Sequence, residues 1–217
     1  MIIFGPISGG HFNPAITLGV MVKEMSLNGS SLSIILMTLA IIFSQILGGF
    51  IGVFISFLSI SDTDDFKEIR ITYLCSVLTD PAEYEHDPVE LKLQYLCSFD
   101  EEEGFVNKRS KIFMVELICT LILVCVVLNL KYNEVYSFAK EGLMTPMAIG
   151  IIYFGMITMS ISTSGACLNP AIGLVQSLYQ KVIVNKYVDE LKFQVSLQTM
   201  WIYIVAPSLG GLIAALL

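Results

Sequence analysis

The stretch SGGHFNPAITLG, from Ser8 to Gly19, decides the fold, because a close copy, SGACLNPAIGLV, runs from Ser164 to Val175. Both copies place Asn-Pro-Ala after a Ser-Gly pair and before an apolar run. Asn is a strong N-cap, and Pro suits the first helical position because its missing N–H would have no partner there. Each copy therefore predicts a helix start with a small first turn. The residues predicted to form it are Asn13, Pro14 and Ala15 in the first copy, and Asn169, Pro170 and Ala171 in the second.

The chain is far more apolar than a soluble domain. Of its 217 residues, 55% are hydrophobic and 14% are charged, whereas a soluble domain has about 25% charged residues. Four stretches are near or above the roughly 20 residues that a helix needs to cross a bilayer. We therefore predict an all-α, multi-pass integral membrane protein rather than a large soluble helical core. The predicted spans are Ser31–Leu58, Lys111–Leu130, Gly142–Ile161 and Leu197–Leu217.

The net charge of −7 comes from one segment. Ser61–Ser110 contains 13 of the 19 acidic residues and 5 of the 12 basic ones, so it contributes −8. The rest of the chain is nearly neutral, and no basic run suggests nucleic acid as a partner. We interpret the segment as a solvated extramembrane loop; its acids lack the alternation of a calcium loop, so no metal is predicted. Cys75 and Cys97 lie in it and could pair if it faces an oxidising compartment.

The two copies belong to an internal repeat. Three full spans separate them, so the second copy begins from the opposite side of the membrane; such inverted repeats place sites near the bilayer midplane. We predict a single domain over residues 1–217, with a partial first repeat at 1–58 and a complete second repeat at 111–217. By the symmetry of the repeat, the chain is expected to be a shortened form of a longer protein, with one full span and most of another before Met1.

Each Asn begins a short element of about ten residues, ending near Lys23 or Tyr179. Ten residues cover about 15 Å, half of the hydrocarbon core, and such an element lies at membrane depth only inside protein or beside water. Two of them entering from opposite sides bring their positive N-termini together. Asn13 and Asn169 can cap with the side-chain oxygen and turn the NH₂ toward a passage as a donor. The Ser-Gly runs are expected to be extended and to present carbonyl acceptors.

These residues resemble the aquaporin (major intrinsic protein) family. The resemblance covers nearly the whole chain except the acidic loop, and it includes Gln45 with the glycines after it, Glu116 with Thr120, and the pattern WIYIVAPSLGG from Trp201. It implies a right-handed bundle of six spans and two half-helices in the lipid bilayer, usually a homotetramer with one pore per subunit. It also implies that Glu116 accepts backbone hydrogen bonds from the second pore loop.

The function that the resemblance implies is passive passage of water or small neutral solutes such as glycerol, without a cofactor or enzymatic activity. The membrane would be a plasma membrane or an intracellular vacuole-type membrane. The residues expected to line the pore loops are Gly10, His11, Phe12, Gly165 and Cys167. For His11, pore lining or gating and simple packing against the half-helix are both open.

The chain departs from the family at the expected constriction, formed by Ile157, Ala166 and Ile172. Ile172 stands where Arg usually follows the second Asn-Pro-Ala, and Ile157 stands where water-selective members have His and glycerol-conducting members have Gly. Gly173 stands where glycerol channels tend to carry Asp. Loss of the Arg removes a fixed charge and several donors, so we predict a more apolar constriction. Water is the predicted solute, with glycerol, urea or ammonia as alternatives.

A second hypothesis is a non-conducting relative that acts as a membrane scaffold or adhesion protein through its acidic loop. The missing Arg and the shortened start favour it. An enzyme or coupled transporter has little support, because the sequence has no nucleophile–base constellation and no metal-ligand cluster.

Overall fold

The fold is an all-α membrane bundle. A computed structural model describes residues 9–60, 105–132, 144–187 and 197–217, and no strand occurs in these ranges. Most of the acidic segment lies outside the described residues, together with the suggested pairing of Cys75 and Cys97. The helices are α1 (Pro14–Asn28), α2 (Leu32–Ile60), α3 (Phe105–Tyr132), α4 (Met144–Ser164), α5 (Pro170–Tyr187) and α6 (Leu197–Leu216).

Three of these helices are long and apolar enough to cross a membrane. The qualifying stretches are Leu32–Ser56 in α2, Arg109–Tyr132 in α3 and Met144–Ser164 in α4. The fourth predicted span, α6, has a shorter apolar stretch, Met200–Leu216. A helix of that length covers about 25 Å, close to the thickness of the hydrocarbon core.

The two short helices, α1 and α5, are longer than the sequence analysis predicts. They have 15 and 18 residues, whereas about ten were expected in each. The prediction ended each helix where the polar link begins, but Lys, Glu and Gln are good helix formers and do not stop a helix. The helix α1 ends at Gly29, which has a φ of 80°. The polar ends of α1 and α5 therefore continue the half-helices instead of forming loops.

The core lies where α6 crosses α3 and α1. A Cβ added to Gly210 would lie 2.6 Å from the carbonyl oxygen of Leu117 in α3, and one added to Gly211 would collide with the carbonyl oxygen of Ala15 in α1. Small residues at such crossings let helix backbones approach closely. Close packing of this kind drives helix association in a membrane, because apolar side chains are as well solvated by lipid as by each other. This contact brings the start of α1 to the middle of the bundle.

The outer faces of α2 and α4 are uncovered. Gly48 stands in α2 at the place that Gly210 occupies in α6, since each begins a Gly-Gly pair after Leu, yet no atom lies within 4 Å of a Cβ built on Gly48. Large apolar side chains are exposed along both helices, among them Leu36, Phe43, Phe50 and Phe54 in α2, and Ile151, Phe154 and Met159 in α4. The helices α2 and α4 thus carry large exposed apolar surfaces.

Candidate pore site

The two short helices begin with the same cap. The side-chain oxygen of Asn13 accepts a hydrogen bond from the backbone N–H of Ala15 at 2.9 Å, and that of Asn169 accepts from Ala171 at 3.1 Å. Both asparagines are buried, with 3% and 5% of their surface exposed. Pro follows each Asn as the first helical residue, where a lost N–H costs nothing. The local structure at both helix starts is that of an Asn-capped, Pro-initiated helix.

The two caps are also bonded to each other's loops. Asn13 Nδ2 donates to the carbonyl oxygen of Leu168 at 2.7 Å, and Asn169 Nδ2 donates to that of Phe12 at 2.9 Å. The half-helices therefore meet N-terminus to N-terminus through a reciprocal pair of hydrogen bonds. An amide nitrogen carries two N–H groups, so these bonds use one N–H of each Asn and leave the other.

The backbone before each Asn is left-handed, and the expectation of an extended run was wrong. The φ angles are 75° at Gly9, 62° at Gly10 and 48° at Phe12 in the first loop, and 80° at Gly165, 56° at Ala166 and 49° at Leu168 in the second. The bonds from the opposite Asn to the carbonyl oxygens of Phe12 and Leu168 help to hold this conformation, which costs about 1–2 kcal/mol for a residue other than Gly. Strain of this kind persists where the surroundings enforce it.

A hydroxyl that the sequence analysis overlooked supports the first loop. Thr17 Oγ1 donates to the carbonyl oxygen of Asn13 at 3.0 Å and accepts from Gln45 Nε2 at 3.0 Å. His11 Nδ1 lies 3.4 Å from the same hydroxyl, which has already given its proton to Asn13. The Nε2 atom of His11 is buried and has no hydrogen-bond partner among the described residues. The sequence feature that could have predicted the Thr17 bond is a Thr placed one helical turn after an N-cap, since such a hydroxyl can bond to the carbonyl oxygen four residues earlier.

Glu116 supports the second loop. Its side chain is 0% exposed, and its carboxylate accepts hydrogen bonds from the backbone N–H of Cys167 at 3.0 Å and of Leu168 at 2.7 Å. The Ser164 hydroxyl donates to it as well, at 2.6 Å. A buried carboxylate is tolerated only when such donors replace water. The second loop is thus held by α3 at the residues just before Asn169.

Tyr203 in α6 holds the same loop from the other side, and the sequence analysis assigned it no role. It is 1% exposed, and its hydroxyl donates to the carbonyl oxygen of Ser164 at 2.9 Å. Its Cβ would lie 2.7 Å from a Cβ built on Gly173. The sequence feature that could have predicted this contact is a Tyr in an otherwise apolar span, because a buried phenol hydroxyl needs a hydrogen-bond partner.

The residues expected at the constriction differ in exposure. Ile172, in the first turn of α5, is 43% exposed. Ala166 is partly exposed at the left-handed turn, and Ile157 is partly buried against the core cluster that contains Leu168. Ala166 and Ile172 flank Asn169 in the sequence, whereas Ile157 comes from α4.

The residues expected to line the loops also differ. Phe12 is 54% exposed, His11 and Gly165 are partly exposed, and Gly10 is buried. Cys167 is 3% exposed, and its thiol faces the carbonyl oxygen of Asn169 at 3.2 Å. The Cys167 side chain therefore supports the helix start from within the protein. In the described part of the chain, no group of His, Cys, Asp and Glu side chains is arranged to hold a metal ion.

The whole chain is similar to known proteins. The family described as Major intrinsic protein matches residues 1–217. "Probable glycerol uptake facilitator protein" of Thermotoga maritima is 26% identical over 98% of this chain and 74% of its own length. "Glycerol uptake facilitator protein-like 6" of Lactiplantibacillus plantarum is 23% identical over the same shares, and "Aquaporin-8" of Notomys alexis is 29% identical over 98% of this chain and 62% of its own. The chain therefore belongs to the major intrinsic protein family of multi-pass membrane channels for water or small solutes.

Proposed function

We propose that the chain forms a passive channel for water and small neutral solutes such as glycerol, with the two Asn-Pro-Ala half-helices facing each other at its centre. The observation that carries the proposal is the reciprocal bonding of Asn13 and Asn169 to the opposite loops. It requires the N-termini of α1 and α5 to be close together. Each N-terminus carries about half a positive charge, so the meeting point has a positive field.

The spare N–H groups supply the chemistry of passage. Asn13 and Asn169 each use the side-chain oxygen and one N–H within the protein, and the second N–H is a donor for a passing molecule. A water or alcohol oxygen accepts from both. A cation or hydronium ion meets only donors and two positive helix ends, and such fields exclude protons and cations from pores of this type. Passage in this scheme needs neither a cofactor nor a chemical step.

The proposed constriction is apolar. Ile172, Ala166 and Ile157 carry no charge and no side-chain hydrogen-bonding group, so these side chains offer no polar contact that would select one small neutral molecule over another. We therefore include glycerol with water among the solutes. Relatives with the printed names of glycerol facilitators and of an aquaporin support both choices.

The assembly and the domain organisation are part of the proposal. We propose a homotetramer, and a single domain over residues 1–217 with a partial first and a complete second repeat. Crosslinking in native membranes tests the tetramer, since a four-copy species is expected and a ladder ending at two would contradict it. The scaffold hypothesis depends on Ser61–Ser110, most of which lies outside the described residues, and we draw no support for it from the described contacts.

The test of the channel is osmotic. Liposomes that carry the full-length protein are expected to shrink and swell faster than empty ones in a stopped-flow light-scattering assay, with an activation energy near that of bulk water diffusion and no ionic current. Glycerol uptake is measured on the same vesicles. Rates equal to those of empty vesicles for both solutes, with protein shown to be folded and inserted, would contradict the proposal.

A further inference from the structure

We propose that Tyr203 is a positioning residue for the second pore loop, and that it acts through Ser164 to set the solute selectivity of the constriction. The inference rests on the proposed channel function. Tyr203 lies in α6 and is buried, away from the proposed passage. The inference is based on two contacts of Tyr203, one with Ser164 and one with Gly173.

Ser164 is held by two helices. It is the last residue of α4 and is buried. Its hydroxyl donates to Glu116 of α3 at 2.6 Å and accepts from the backbone N–H of Ala166 at 3.2 Å. Its carbonyl oxygen accepts from the Tyr203 hydroxyl of α6 at 2.9 Å. The position of Ser164 is therefore fixed through its side chain and, independently, through its backbone.

What Ser164 positions is the turn that carries Ala166. The turn is left-handed at Gly165 and at Ala166, with φ of 80° and 56°. Ala has no intrinsic preference for that region, so the conformation depends on neighbours that enforce it. The Tyr203 bond to Ser164 acts at the residue immediately before the turn, where a small displacement is passed directly to Ala166.

The other side of Tyr203 packs on α5. A Cβ at Gly173 would lie 2.7 Å from Tyr203 Cβ and 2.9 Å from its carbonyl oxygen, so the first turn of α5 rests directly on this residue. Ile172 is the adjacent residue of that turn. Tyr203 thus contacts the helix that carries Ile172 through its Cβ and backbone, and the segment that carries Ala166 through its hydroxyl.

The first repeat uses a related arrangement with different residues. Gln45 of α2, the span that follows the first half-helix, donates to Thr17 in the first turns of α1. Tyr203 of α6, the span that follows the second half-helix, donates past α5 to Ser164. Gly173 occupies in α5 the place of Thr17 in α1, counting from each Asn. In the first repeat the polar side chain of the last span bonds to the half-helix itself, and in the second repeat it bonds to the residue that begins the loop before the half-helix.

The first test compares two Tyr→Phe variants that each lose one buried or half-buried phenol hydrogen bond. Tyr132→Phe is the control, because Tyr132 Oη donates to Glu24 at 2.5 Å at the far end of α3, about 24 Å along the helix from Glu116. Tyr203→Phe is expected to change the ratio of glycerol to water permeability by about two- to fivefold, the effect of one lost hydrogen bond. Tyr132→Phe is expected to leave the ratio at the wild-type value.

The ratio of glycerol to water permeability does not depend on how much folded protein each vesicle contains. A variant that only lowered the amount of folded protein would therefore leave this ratio unchanged. A wild-type ratio in Tyr203→Phe would overturn the inference. An equal change in Tyr132→Phe would overturn it too, because the effect would then not be specific to the loop.

A second measurement does not depend on conduction. Ala166→Cys is combined with wild-type Tyr203 or with Tyr203→Phe, and the rate of modification by a small water-soluble thiol reagent is followed at residue 166 by mass spectrometry. A rate changed by about two- to fivefold is expected when the bond to Ser164 is lost, and equal rates would overturn the inference. If wild-type vesicles do not conduct, the channel proposal fails while the labelling rates still decide the role of Tyr203.

Discussion

Asn13 and Leu168 are joined by a 2.7 Å hydrogen bond although 155 residues separate them in the sequence. The mirror bond runs from Asn169 to Phe12. Because each Asn also caps its own helix, the start of one half-helix depends on the loop of the other. The two pore loops should therefore respond as a unit when either asparagine is changed.

Replacement of Asn169 by Ala tests this dependence. The change removes the cap of α5, which is worth about 1 kcal/mol, and the bond to Phe12. We expect lower water and glycerol permeability per protein and a lower unfolding temperature in detergent. The matched control is Asn129→Ala, since Asn129 is exposed and bonds only within its own helix, to Cys125. Equal permeability of Asn169→Ala and Asn129→Ala would contradict the central role of the caps.

Glu116→Gln tests how the second loop is held. The Gln amide has the size of the carboxylate, but one of its two oxygen positions becomes an NH₂ group. That NH₂ would face a donor that now bonds to the carboxylate of Glu116, so this hydrogen bond is lost. Hydrogen bonds to a charged group are worth about 1.5–3 kcal/mol, so we expect a loss of stability in that range in a denaturation assay.

Glu24→Gln is the control for Glu116→Gln. Glu24 accepts hydrogen bonds from the side chains of Tyr132 and Asn28 near the end of α1, where water can replace these bonds. We therefore expect Glu24→Gln to lower the free energy of unfolding by less than about 1 kcal/mol. If the two substitutions were equally costly, the burial of Glu116 would not be what makes its bonds strong.

The sequence contained enough to predict the two helix starts, because Asn caps followed by Pro have strong local signals, whereas the contact of Glu116 with the second loop was predicted only through the family resemblance. It did not contain the bonds between the loops, since a backbone carbonyl acceptor has no residue signature. The left-handed turns at Ala166 and Leu168 were missed for a related reason. Residues other than Gly adopt positive φ only when distant contacts enforce it, and those contacts appear only in the fold.

Ile172→Arg tests the apolar constriction. A guanidinium brings a fixed charge and five donors to an exposed position in the first turn of α5. We expect glycerol permeability to fall by more than water permeability, because the larger side chain narrows the passage. Ile172→Leu, which keeps volume and polarity, should leave the ratio unchanged. A ratio unaffected by Ile172→Arg would place the constriction elsewhere.

Gly173→Ala tests whether α5 rests on Tyr203 as closely as the structure shows. An added Cβ would lie 2.7 Å from Tyr203 Cβ and 2.9 Å from its carbonyl oxygen, and backbone cannot move aside as a flexible side-chain end can. Overpacking of this kind costs about 1–3 kcal/mol. Gly150 in α4 provides the opposite case, because nothing lies within 4 Å of its added Cβ, and Gly→Ala at an open helical site gains about 0.5–1 kcal/mol. Thermal unfolding in one detergent should therefore move in opposite directions for the two variants. If Gly150→Ala lowered the unfolding temperature as much as Gly173→Ala, the clash with Tyr203 would not be the cause of the destabilisation in Gly173→Ala.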